Sequence, residues 1–163
     1  MLKTTVSADG GALSVASPEP KRHLTVDPSE LPDRYAMICE GVCLEPEIAD
    51  GTRLLFDKHE PFGAGDLVVL FRRPELVQPG HHQAIVKRLV MAPPPWVKFP
   101  WRENPRSEVR ALVIAEQINP RRQYAIPCED LLGIHKCLGP VPADMVTYPV
   151  TDDEIRRQKR RRK

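Results

Sequence analysis

The sequence predicts a mostly β protein with one short C-terminal helix, and three observations predict it. Apolar residues between positions 35 and 138 come in short runs rich in Val, Ile and Leu. Glycine and proline turn signals separate those runs. No stretch sustains the 3.6-residue periodicity of an amphipathic helix.

Taken in order, the runs give strands over residues 35–40 (YAMICE), 52–57 (TRLLFD), 66–71 (DLVVLF), 84–91 (AIVKRLVM) and 109–118 (VRALVIAEQI). Gly51, the turn at 63–65 and the loop at 74–80 punctuate them. The segment 92–101 (APPPWVKFPW) carries too much proline for a central strand, because each proline removes a ladder donor. Its aromatics Trp96, Phe99 and Trp101 are expected to cover an edge of the core. Near the end, TDDE at 151–154 has the spacing of a capping box and predicts a short helix running into IRRQKRRRK.

At 163 residues with 41% hydrophobic content the chain can bury one sizeable core. We read residues 1–34, rich in Ser, Pro, Gly and charge, as a flexible arm. Residues 35–142 form the β domain and 143–163 a C-terminal segment with helix and basic tail. The arm lacks the apolar spacing that two packed DNA-reading helices require.

No apolar run approaches the roughly 20 residues of a membrane-spanning helix, and the N-terminus has no apolar signal-peptide core. A cytoplasmic setting without membrane contact is therefore expected. In that setting Cys39, Cys43, Cys128 and Cys137 are read as free thiols. Neither the Cys39–Cys43 nor the Cys128–Cys137 spacing is the close pair of a zinc knuckle, so no metal and no cofactor are expected.

The formal charge is +2, but seven of the 24 basic residues stand at the extreme C-terminus, leaving 17 against 22 acidic residues and −5 elsewhere. Attraction to nucleic acid is thus weak and confined to the tail, at Arg160, Arg161, Arg162 and Lys163.

The candidate chemistry centres on Cys43, in EGVCLEP after the first strand. A nucleophile on a turn needs a base and backbone amides aimed at the developing oxyanion. Lys87 in AIVKRLV is the base candidate. Alternation sets it on one strand face with Ile85 and Leu89, and apolar surroundings favour the neutral form of a lysine.

Three blocks in order, EGVCLEPEIADGTRLLFDKHEPFGAGDLVVL, AIVKRLV and AEQINPRRQYAIPCEDLLGIHKCLG, resemble those of the LexA/UmuD-type self-cleaving peptidases, relatives of bacterial signal peptidase. The likeness covers about residues 35–139. It implies a β-rich peptidase-type fold, with Cys43 at the nucleophilic serine, Leu44 at the following methionine, and Glu45 and Pro46 at the Glu-Pro pair. Lys87 stands at the general base, 44 positions after Cys43. Gly41 and Val42 complete the substrate and oxyanion region, with Val42 where the family has Asp. The implied partners are a peptide or protein substrate, a LexA-like protein, or a second copy in a homodimer.

Cysteine in place of serine is the main departure. A Cys-Lys pair can form an acyl thioester, because a nearby ammonium favours the thiolate. Equally, a site shaped for serine can retain the fold without activity. Residues 1–42 contain no Ala-Gly or Cys-Gly bond of the kind those relatives cut. Both an active peptidase and an inactive binding module are therefore carried forward.

Overall fold

The computed structural model describes residues 26–99 and 110–145. Among them, seven strands form one antiparallel sheet: β1 (Arg34–Ile38), β2 (Arg53–Asp57), β3 (Leu67–Arg72), β4 (Ala84–Met91), β5 (Leu112–Gln117), β6 (Arg122–Pro127) and β7 (Leu131–Pro140). Their spatial order is β1-β2-β7-β3-β4-β5-β6. The protein is mostly β, and its described helical turns are three short 3-10 segments, Pro28–Glu30, Pro74–Leu76 and Cys128–Asp130. The helix expected at 151–154 and the basic tail lie outside the described residues.

Both faces of the sheet are covered, which explains why β3 reads as a continuous apolar run. Val69 and Phe71 join one core with Leu54, Phe56, Tyr35 and Cys137. Val68 and Leu70, one step out of phase, join a second core with Leu89, Val113, Ala115 and Ile134. A strand packed on both sides has no polar face to alternate with its apolar one. All four side chains are at most 1% exposed, so β3 is fully committed to packing.

Strand β7 was not assigned as a strand from the sequence, yet it lies between β2 and β3 in the sheet. Its sequence, LLGIHKCLGP, interrupts any period with Gly133, His135 and Lys136. Its two glycines answer to the tertiary structure. Pro28 packs over Gly133, where a Cβ would come within 3.2 Å of its ring. Near the end of β7 the register with β2 shifts, pairing Leu55 with Gly139 and Phe56 with Cys137. Gly139 takes φ 100° there, a conformation that favours glycine at a bulge. The edge strand β6 was missed too, because its residues are mostly exposed and it ends in proline.

Packing also begins earlier than the Tyr35 boundary. Leu31 is buried in the first core, and Asp27 caps the turn at Pro28–Glu30 by accepting from the Ser29 amide at 2.9 Å. Lys58 closes the other side by donating to the Leu31 carbonyl at 2.8 Å. Within segment 92–99, Val97 and Phe99 pack against the second core while Trp96 remains 46% exposed. Covering the core edge thus falls to Val97 and Phe99; Trp101 is outside the described residues.

Candidate functional site

The excursion between β1 and β2 is a closed loop. At its base Cys39 N–H donates to the Thr52 carbonyl at 2.8 Å, and the Cys39 carbonyl accepts in turn from Gly51 N–H at 2.8 Å. Within it, Gly41 takes φ 95° and donates its amide to Asp50 Oδ1 at 2.7 Å. That conformation is open to glycine at little cost. Glu45 N–H returns to the Val42 carbonyl at 3.0 Å, and Ile48 N–H to the Leu44 carbonyl at 3.0 Å.

Two apolar anchors hold the loop down. Leu44 is fully buried and Ile48 nearly so, both in the first core. Cys43, just ahead of Leu44, is half-buried against the same core, while Val42 is 51% exposed. Glu45 is half-buried and Pro46 exposed. The turn therefore offers a thiol at the surface on a rigid base.

Two further contacts tie this turn to the far half of the sheet. The Cys43 carbonyl accepts from Ile118 N–H at 2.8 Å and from Asn119 N–H at 3.1 Å, just beyond β5. Arg88 on β4 pairs with Glu47 of the loop and also donates to the Gly65 carbonyl at 2.7 Å. Among the described residues the Cys43 N–H itself donates to no acceptor. A backbone amide left free is what an oxyanion donor requires.

Lys87 is 9% exposed and lies opposite Val68 on β3. On its other side, Arg88 faces Glu116 and Leu89 faces Ala115, so continuing the register brings Lys87 opposite Gln117. Gln117 adjoins Ile118, which holds Cys43. Alternation keeps Lys87 in line with Ile85 and Leu89 of the second core, whereas Cys43 packs on the first. Their shared neighbour is Cys39: burial pushes its thiol up, Cys43 adds to that, and Lys87 opposes it.

Sequence reasoning singles out Cys43 and Lys87 but not the residues around them. From the sequence Cys39 is one of four free thiols with no assigned role, and nothing there singles out the Ile118 and Asn119 amides, Asp50 or the Arg88–Glu47 pair. Only the sheet order brings those positions together. Among the described residues no group of three or more His, Cys, Asp or Glu side chains is arranged to hold a metal ion, and no helix is long and apolar enough to cross a membrane. The candidate nucleic-acid residues Arg160, Arg161, Arg162 and Lys163 lie outside the described residues.

Away from this site, a cleft of about 420 Å³ is lined by Val26, Lys58, Phe99, Gly133 and His135 among others. His135 is buried, its Nδ1 lies 2.6 Å from the Tyr35 hydroxyl, and burial pulls its pKa down to about 4.

No protein-family model, curated protein or solved structure matches this chain.

Proposed function

We propose that the protein is a LexA-like peptidase-type domain in which Cys43 attacks a peptide carbonyl and Lys87 handles the proton. The observation that carries this reading is the Cys43 turn: a half-buried thiol on an anchored loop, its own N–H unpaired among the described residues and its carbonyl fixed by two amides. Attack forms a carbon–sulfur bond, and the Cys43 amide steadies the oxyanion. Collapse expels the amine, which takes its proton from Lys87. Water then releases the acid and regenerates the thiol. No cofactor takes part, and the substrate is a peptide or protein segment, in this chain or another.

A second reading has its own support. Ile38 and Val42, 57% and 51% exposed, flank the same turn and offer apolar surface to a peptide or a LexA-like partner. In that case the fold binds without cutting, as a partner protein or a homodimer.

The test follows intact mass over hours, with and without an added unfolded protein, for wild type, Cys43→Ser, Cys43→Ala and Lys87→Met. Fragments from the wild type that vanish in Cys43→Ala and Lys87→Met support the dyad. Unchanged masses throughout, with retained capture of unfolded peptide, favour the binding module. Fragments from Cys43→Ser alone mean an intact scaffold that cysteine has silenced.

A further inference from the structure

Three of the four cysteines, Cys39, Cys43 and Cys137, gather in or against the first core, and the fourth, Cys128, belongs to the second. Their exposures differ in a useful way. Cys43 is half-buried at the turn, whereas Cys39 and Cys137 are 5% and 8% exposed. An oxidant from solvent therefore meets Cys43 first, and a second thiol waits behind it.

We infer that the candidate site is redox-controlled, with Cys43 the oxidised thiol and Cys39 the resolving thiol that closes an intramolecular disulfide with it. The inference rests on the reading of Cys43 as the reactive thiol. The oxidant class is a hydroperoxide. In the first step the Cys43 thiolate attacks the terminal peroxide oxygen, an S–O bond forms, the O–O bond breaks and hydroxide leaves from hydrogen peroxide, or alkoxide from an organic hydroperoxide, so sulfur loses two electrons and the peroxide gains them. In the second step the Cys39 sulfur attacks the sulfenic sulfur. An S–S bond forms, the S–O bond breaks, and the departing hydroxide takes the Cys39 proton as water.

Cys39 suits the resolving role better than Cys137. Only three residues separate Cys39 from Cys43, in a loop whose direction Gly41 changes. Its backbone is locked between Thr52 and Gly51, so its sulfur has a defined place. Cys43 packs against the same core that holds Cys39. Cys137, by contrast, is held in β7 opposite Phe56, and its sulfur accepts from the Gly139 amide at 3.4 Å. A disulfide at Cys43 would remove the nucleophile reversibly, since thiol exchange restores it.

The test treats the reduced full chain with hydrogen peroxide and maps its thiols by mass spectrometry. Trypsin cuts after Arg34 and Arg53, so one peptide holds both Cys39 and Cys43. The expected wild-type result is loss of two hydrogens from that peptide, restored by dithiothreitol. In Cys39→Ala, a dimedone adduct should appear on Cys43 and the disulfide should not. Cys43→Ala, which leaves the core thiol in place, should show neither. A wild type whose Cys43 accumulates as dimedone adduct or sulfinic acid while Cys39 still alkylates overturns the inference, as does a Cys39–Cys137 bond. If Cys43 resists both peroxide and alkylation, the nucleophile reading falls with it; if Cys43 reacts and no disulfide forms, only the redox inference falls.

Discussion

Gln83 grips Val26 by both of its backbone polar groups: Val26 N–H donates to Gln83 Oε1 at 2.9 Å, and Gln83 Nε2 donates to the Val26 carbonyl at 2.9 Å. Gln83 is itself 7% exposed, so the clasp is a buried one at the start of β4. Replacing it with Leu leaves a donor and an acceptor unmatched and should cost about 1–3 kcal/mol. Urea unfolding measures this. Gln83→Glu keeps the acceptor but buries a carboxylate oxygen against the Val26 carbonyl, so near neutral pH it should cost at least as much as Gln83→Leu.

A pH dependence follows from His135. Its pKa in the folded protein is about 4, below the ordinary 6.5, because burial disfavours the charged ring; Lys58 and His59 add to this and Asp57 opposes it. The unfolded chain therefore binds the proton first. The stability contribution is complete above pH 6.5 and drains away as pH falls toward 4. NMR titration of the imidazole should show His135 neutral down to that range, and the thermal midpoint should decline across the same window. A ring that titrates at its ordinary value would remove this explanation of acid sensitivity.

Phe56, fully buried in the first core and stacked on Tyr35 with centroids 5.6 Å apart, should be among the costliest positions to truncate. Phe56→Ala is expected to lose about 3–5 kcal/mol in denaturant unfolding. Val42→Ala, at an exposed position, should stay within about 0.5 kcal/mol.

The pair between Arg88 and Glu47 links the Cys43 loop to β4, with side chains 26% and 51% exposed. Solvent reaches both, so Glu47→Gln should change global stability by less than about 1 kcal/mol. Its effect should instead be local. Faster alkylation of Cys43 than in the wild type, with an unchanged unfolding midpoint, is the expected pattern.

How far the sequence could be read depended on whether a residue's role was local. Strand β4 was legible to its ends, and β2 and β3 to within a residue, because apolar density and turn glycines are properties of neighbours in the chain. Strand β7 was not, since Gly133 answers to Pro28 and His135 to Tyr35, partners roughly a hundred positions away. The same holds for the site. Cys43 and Lys87 stand out by type and by resemblance, but nothing near Cys43 announces that Ile118 and Asn119 hold its carbonyl.

The sequence by itself determined that the chain is β-rich, where most strands run, that a cysteine follows the first strand run in EGVCLEP, and that basic charge is concentrated at the C-terminus. Only the tertiary structure decided that β7 lies inside the sheet, that Val26 and Leu31 belong to the packed body, and that Cys39 and Cys43 meet at the first core. The reason is physical. Propensity and turn chemistry act over a few residues, whereas strand order and the burial of polar groups are settled by contacts that form when distant segments meet.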